Sequence, residues 1–335
     1  MVFPASSLFF LSTLLLSIMI AISSTTWFNI WVGLELNMMS FIPLITIKMN
    51  SYFSESALKY FLIQALGSTL FIMASCLFFS FKPLSSTLIL MSLLLKLGSA
   101  PFHFWFPQVM SGLTWPQTIL LMTTQKIAPM IIISYLLTSP TSLQIISLSA
   151  MFSALIGALG GLNSMHLRKI MAFSSINHMS WMLISLSISD MFWYVYFLFY
   201  AIISTSIVTL FNVYQAFTLS DLMKFNQINL IYSLLFPLNL LSLGGLPPFT
   251  GFIPKWMLIQ LLINNKLFFP LFIFLFSALI TLYFYLRIVI FFFLLFNSLS
   301  IINMKPNSFT PSPISPLFLF FNLFMFLFPF MFISL

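Results

Sequence analysis

The chain has 335 residues, 61% hydrophobic and 5% charged, against about 25% charged in an ordinary soluble domain. That balance excludes a soluble globular protein. The formal net charge of +8 is spread over scattered Lys and Arg, several of them inside apolar runs, so it speaks to membrane topology and not to nucleic-acid binding. Cys76 is the only cysteine, which excludes an internal disulfide and any cysteine-built metal or iron-sulfur site.

The N-terminal run MVFPASSLFFLSTLLLSIMI lacks the basic region of a signal peptide and the Arg-rich pattern of a transit peptide. It is expected to be a retained first helix. Apolar runs of roughly 20 residues then recur to the end, each able to cross a hydrocarbon layer of about 30 Å. The predicted crossings are 5–23, 26–47, 55–80, 84–110, 115–138, 143–162, 167–188, 191–217, 228–263, 268–296 and 313–334, about eleven in all. The fold class is an all-α polytopic membrane protein. Trp27, Trp105, Trp115 and Trp193 fall near predicted ends, where indoles favour the membrane interface.

Lys48, Arg168, Lys169, Lys224 and Lys305 fall in loops on the N-terminal side, while Lys82 and Lys266 lie opposite. The positive-inside rule then puts the N-terminus on the cytosol-like side, which is the matrix in a mitochondrion, and the C-terminus on the other.

An internal echo joins the fourth and ninth crossings. Leu97, Gly98, two residues, Pro101, Phe102, four residues and Pro107 resembles Leu243, Gly244, three residues, Pro248, Phe249, four residues and Pro254. Five helices separate them, so the expectation is an inverted repeat: 1–138 as the first half, 143–296 as the second, 313–334 as an added helix. Helices broken by Gly and Pro near mid-membrane are how many transporters build a polar path, since a proline leaves an earlier carbonyl without its helical partner. A packing kink is the plainer alternative.

Four carboxylates occur: Glu35, Glu55, Asp190 and Asp221. Glu55 is expected in a first helical turn after Ser54 and paired with Lys59 at i,i+4; Asp190 and Asp221 are expected in solvated loops. Glu35, Lys96, Lys126 and Lys255 instead lie within crossings. At about 3 kcal/mol each, three uncompensated mid-membrane lysines would cost roughly 9 kcal/mol. Either a static pairing or snorkelling compensates them, or they take up and release protons along a path. Pro129 frees the carbonyl of Gln125 beside Lys126. His178 is either a bridge between hydrogen-bonded waters or a satisfied packing residue, and His103, beyond the first break, is a further candidate for the path. Arg287 is equally open, and His166 is expected to be solvated beside Arg168 and Lys169. No nucleotide-binding signature and no metal-ligand spacing is present.

The segments GLELN (33–37), ESALKYFLIQ (55–64), LLLKLGSAPFHFWFP (93–107), TTQKIAP (123–129), GALGGLNSMHLRKIMAFSSINHMSWM (157–182) and SLGGLPPFTGFIPKW (242–256) together resemble the chain 2 family of mitochondrial NADH:ubiquinone oxidoreductases. These are the antiporter-like membrane subunits of respiratory complex I. Thr124 departs from the Trp that animal relatives commonly carry before QK.

The resemblance implies an organelle-encoded, multi-pass inner-membrane subunit of a proton-translocating enzyme, built of antiporter-like inverted five-helix repeats with two broken helices. Glu35, Lys96, Lys126 and Lys255 match the family's proposed proton route: a switching pair (Glu35 and Lys96), a central relay (Lys126) and a terminal site (Lys255). His178 and His103 are secondary candidates on that route. Partners would be other membrane-arm subunits including antiporter-like neighbours, lipid, protons and internal water, with no nucleic acid. No cofactor and no catalytic or metal site is expected in this chain; NAD, FMN, iron-sulfur clusters and ubiquinone would belong to other subunits. The rival readings are a sodium/proton antiporter subunit and a membrane scaffold without a proton path of its own.

Overall fold

The computed structural model describes residues 5–46, 50–137, 139–221 and 230–294. Thirteen α-helices occur among them: α1 (Ala5–Ser23), α2 (Trp27–Ile45), α3 (Ser51–Cys76), α4 (Lys82–Leu97), α5 (Trp105–Gly112), α6 (Trp115–Met122), α7 (Thr124–Leu136), α8 (Pro140–Leu162), α9 (Leu167–Ile188), α10 (Asp190–Tyr214), α11 (Leu230–Gly244), α12 (Phe252–Asn264) and α13 (Phe268–Leu294). The described residues hold no strand beyond an isolated bridge between His166 and Thr218. Seven stretches are long and apolar enough to span a membrane as single segments: α1, α2, α3, the pair α6 and α7, α8, α10 and α13.

These helices account for ten of the predicted crossings. The fourth, fifth and ninth are each split in two, and the eleventh, 313–334, lies outside the described residues, as do Lys48, Lys224 and Lys305. The chain divides into two compact units, 1–153 and 154–335, with α8 running through the boundary. In the first unit, α3 packs on α2, α4 and α5, and α7 packs on α1, α4 and α6. In the second, α10 contacts α9, α11 and α12, and α13 contacts α9, α11 and α12.

Both breaks share a left-handed glycine and one hydrogen-bond pattern, and differ at the proline, whose preceding peptide bond is cis at Pro101 and not at Pro248. Gly98 ends α4 at φ 70° and Gly245 ends α11 at φ 80°, left-handed values that a residue with a Cβ resists. Ser99 N donates to Leu94 O and Phe102 N to Ser99 O; Leu246 N donates to Leu241 O and Phe249 N to Leu246 O. The second helix then starts at Trp105 in one case and Phe252 in the other. Gly98 thus matches Gly245, Pro101 matches Pro248 and Pro107 matches Pro254, each 147 residues apart. The unequal spacing read from sequence came from pairing Gly98 with Gly244; the backbone places its counterpart one residue later and the spacing becomes equal.

A milder interruption divides α6 from α7 at Thr123 (φ −114°, ψ −76°). Thr123 and Thr124 hydroxyls donate to the carbonyls of Ile119 and Leu120, Ile119 O also accepting from Thr123 N, and Pro129 withholds an N–H one turn later.

Three of the four indoles expected at the interface are instead core residues. Trp105, Trp115 and Trp193 are at most 4% exposed, and Trp105 Nε1 donates to Leu95 O beside the first break. Large aromatic area near a helix end packs against neighbouring helices when they cover that end. Helix α3 also begins at Ser51, not near residue 55, so Glu55 lies in its second turn, where it pairs with Lys59 at 2.6 Å.

Candidate functional site in the two halves

The first break ends α4 just after Lys96, and the interrupted fifth crossing carries Lys126 two residues into α7. Both lysines are buried, Lys96 at 8% and Lys126 at 2% exposure. They line a single cavity whose other polar walls are Asn37, Tyr60, Gln64 and Gln125. The space reachable by the centre of a water-sized sphere is about 20 Å³, room for about one ordered water.

Packing holds each lysine stem. The stem of Lys96 lies against α3 at Gly67, where a Cβ would come within 3.1 Å of Lys96 Cγ. Gln64 Nε2, one turn earlier on α3, donates to Lys96 O at 3.1 Å, satisfying a carbonyl in the last turn of α4. Lys126 Nζ stands 5.5 Å from the centroid of the Phe106 ring, a cation–π distance. Across the cavity, Tyr60 donates its hydroxyl to Gln125 Oε1 at 3.1 Å and Gln125 Nε2 donates to Asn37 Oδ1 at 2.8 Å. Three helices are tied by these two bonds.

Glu35 lies on α2, half-buried, and acts on Lys96 through space. The two form no direct ion pair, unlike Glu55 and Lys59. The two residues expected to pair are therefore not in direct contact. His103 lies in the break, its Nδ1 3.3 Å from Pro101 O and its ring 4.1 Å from that of Phe104, and it does not line the lysine cavity.

In the second unit Lys255 occupies the first turn of α12 and folds back over the break. Its Nζ donates to Gly244 O at 2.8 Å and Leu243 O at 3.4 Å, so the ammonium caps carbonyls that end α11. Gly245 makes this approach possible, since a Cβ there would stand 2.8 Å from Lys255 Cδ. His178, in α9, meets the Tyr196 hydroxyl at 2.9 Å and the Tyr200 ring at 5.1 Å.

Comparisons with known proteins show the family to which the chain belongs. Residues 24–86 and 82–281 match the NADH:quinone oxidoreductase/Mrp antiporter transmembrane family. NADH-ubiquinone oxidoreductase chain 2 of Anopheles gambiae is 46% identical over 308 residues, covering 89% of this chain and 87% of that one. The chain 2 proteins of Locusta migratoria (40% identical; 84% and 83% covered) and Loxodonta africana (37%; 91% and 89%) are similar over comparable spans. The chain belongs to the NADH-ubiquinone oxidoreductase chain 2 family.

The fold is likewise that of a chain in respiratory complex I from Thermus thermophilus, at TM-score 0.83 and 23% identity over 97% of this chain and 79% of that one. A chain of the Mrp complex from Dietzia sp. is similar at TM-score 0.73 and 16% identity, over 82% and 58%. As a chain 2 protein, this is a multi-pass membrane subunit of antiporter-like fold.

Of the residues singled out in the sequence, Lys96 and Lys126 meet at one cavity with Glu35 within electrostatic reach, while Lys255 and His178 belong to the second unit. Arg287 has a structural role in this arrangement: Nη1 donates to Leu162 O at 2.8 Å, ending α8, and Nη2 approaches Met165 Sδ at 3.2 Å. Asp221 is no free loop carboxylate, since its Oδ2 accepts from the backbone N–H groups of Phe217 and Thr218 and the Thr218 hydroxyl. Sequence reasoning passed over Asn37, Tyr60, Gln64 and Tyr196, and used only the backbone carbonyl of Gln125, not its side chain. A signal for two of them was present: Tyr60, Gln64 and Gly67 recur at helical spacing and share one face of α3.

Proposed function

We propose that this chain is a core membrane-arm subunit of a proton-translocating NADH:ubiquinone oxidoreductase, working in the mitochondrial inner membrane with its N-terminus in the matrix and its C-terminus on the intermembrane-space side. The observation that carries the proposal is the cavity shared by Lys96 and Lys126 and walled by neutral hydrogen-bonding side chains. A buried ammonium without full solvation is poised to release its proton when a nearby charge changes, and Glu35 is such a charge. In this reading Glu35 modulates Lys96, Lys96 exchanges protons with Lys126 through water in the cavity, and Lys255 is the terminal site of the second half. His178, held by Tyr196, belongs to that same second-half segment, and His103 lies beside the first break.

The two halves function as an inverted repeat in this proposal, supported by the left-handed glycine and the hydrogen-bond pattern that their breaks share. NAD, FMN, iron-sulfur clusters and ubiquinone are held by other subunits, so this chain contributes coupling and no redox centre. Its partners are the neighbouring membrane-arm subunits, lipid and internal water.

The test is Lys126→Met in the assembled complex, preserving side-chain length without charge. Ubiquinone-dependent turnover is expected to fall about tenfold or more, roughly 1.4 kcal/mol on the limiting step, with NADH oxidation by an artificial acceptor intact. Unchanged turnover and an unchanged proton-to-electron ratio would leave only the scaffold reading. The sodium/proton antiporter reading is favoured by the fold shared with the Mrp chain. Purification of the chain with sodium-transporting partners and without flavin or iron-sulfur subunits would establish it instead.

A further inference from the structure

The bonds across the lysine cavity have a property that the lysines do not explain. Gln125 accepts from Tyr60 and donates to Asn37. A carboxamide has an acceptor and a donor end of nearly equal size, so a half-turn of both amides gives a second, fully bonded arrangement. Gln125 Nε2 then donates to the Tyr60 oxygen, and Asn37 Nδ2 donates to Gln125 Oε1. The chain keeps two hydrogen bonds either way, and among the described residues Asn37 Nδ2 has no partner to lose.

The two arrangements differ at Tyr60. In the first, its O–H is committed to Gln125 and the hydroxyl offers the cavity only the lone pairs of its oxygen, as an acceptor. In the second, the hydroxyl oxygen accepts from Gln125 and its O–H is released to donate to a cavity water or to the lone pair of a deprotonated lysine. Tyr60 is 1% exposed and lines the cavity with both lysines, so the released donor has no bulk water to turn to. The ring itself is fixed, packed 5.1 Å from Phe41 and 6.0 Å from Trp105. No proton is transferred by this motion; Tyr60 keeps its own and only its direction changes.

We propose that the Gln125 carboxamide is a two-position switch that, together with Asn37, turns the Tyr60 hydroxyl toward or away from the cavity between Lys96 and Lys126, opening or closing the hydrogen-bonded route between them. Gln125 and Tyr60 are positioning residues, and their role rests on the lysine relay proposed above. The switch is neutral in both positions, so it adds no mid-membrane charge, and it sits one residue from Lys126, where a shift of the α7 backbone at the Thr123 interruption moves amide and lysine together.

The experiment uses assembled complex carrying Tyr60→Phe, Gln125→Met, the pair together, and Lys126→Met. Tyr60→Phe keeps the ring packing and Gln125→Met keeps the length. Each single change is expected to slow ubiquinone-dependent turnover roughly tenfold, and the pair by no more than either single change, because residues acting as one unit are non-additive. Infrared difference spectra between oxidised and NADH-reduced complex, with glutamine side chains labelled with 15N, are expected to show an amide band that moves on reduction and is absent in Gln125→Met. A packing role alone would not produce that band.

Multiplicative losses in the pair, or no Gln125-dependent band, would overturn the switch. Loss of turnover in Lys126→Met with wild-type turnover in the other variants would overturn the switch and leave the relay standing. Should Lys126→Met be silent, the relay falls and the switch falls with it, whatever the amide band shows. If Tyr60→Phe does not assemble, the band and turnover of Gln125→Met decide alone.

Discussion

A lysine in lipid is tolerable only through what surrounds it, and Lys255 and Lys96 use different surroundings. Lys255 is bonded to two carbonyls of its own helix break; Lys96 has its stem on α3 and its charge open to the cavity and the field of Glu35. Lys255→Met therefore leaves two carbonyls at the end of α11 without their donor, each unmade bond costing about 1–3 kcal/mol, and is expected to lower both thermal stability and turnover. Glu35→Gln removes only a distant charge, so turnover is expected to fall while the melting temperature holds. Arg287→Met is the converse: loss of the Leu162 bond should cost about 1–2 kcal/mol of stability, discounted for partial exposure, with the proton-to-electron ratio unchanged. Thermal melts and pumping assays on the three purified complexes separate these outcomes.

At the scale of the element, the broken helix is the repeated unit. Its turn depends on one left-handed glycine, at Gly98 or Gly245. Alanine at φ 70–80° costs about 1–2 kcal/mol from backbone sterics alone. At Gly98 the new Cβ would meet Phe106 and Trp105 at 3.2 Å, so Gly98→Ala is expected to act mainly on stability. At Gly245 it would meet Lys255 Nζ at 3.0 Å and Cδ at 2.8 Å, displacing the ammonium from its carbonyls. Gly245→Ala is expected to lose turnover beyond its loss in melting temperature, and equal proportional losses in the two alanine variants would contradict the separate role given to Lys255. Where the elements start and stop was largely legible, because Gly, Pro and apolar run length act locally. The interruption at Thr123 was not, since the apolar run 115–138 reads as one continuous helix.

For the whole molecule the open test is direction across the membrane. The proposed orientation places the loop near His166 in the matrix and Lys266 on the opposite side. After Cys76 is replaced by Ser, single cysteines at His166→Cys and Lys266→Cys in intact mitoplasts are expected to react with a membrane-impermeant maleimide at the second position and not at the first; the reverse labelling would invert the assignment.

What the sequence by itself determined is everything governed by composition and short range: an all-helical membrane chain, the two breaks, the costly lysines, the i,i+4 pair of Glu55 and Lys59, and the family. What only the tertiary structure decided is which polar groups meet. Asn37 and Gln125 are 88 residues apart and Tyr60 and Gln125 are 65 apart, joined because α2, α3 and α7 converge on one cavity. Packing within each unit likewise buried Trp105, Trp115 and Trp193 and set Arg287 to hold a carbonyl at the end of α8. Local propensity and hydropathy specify a helix, whereas the partner of a buried polar side chain is set by the neighbouring helix that packing brings within hydrogen-bond reach.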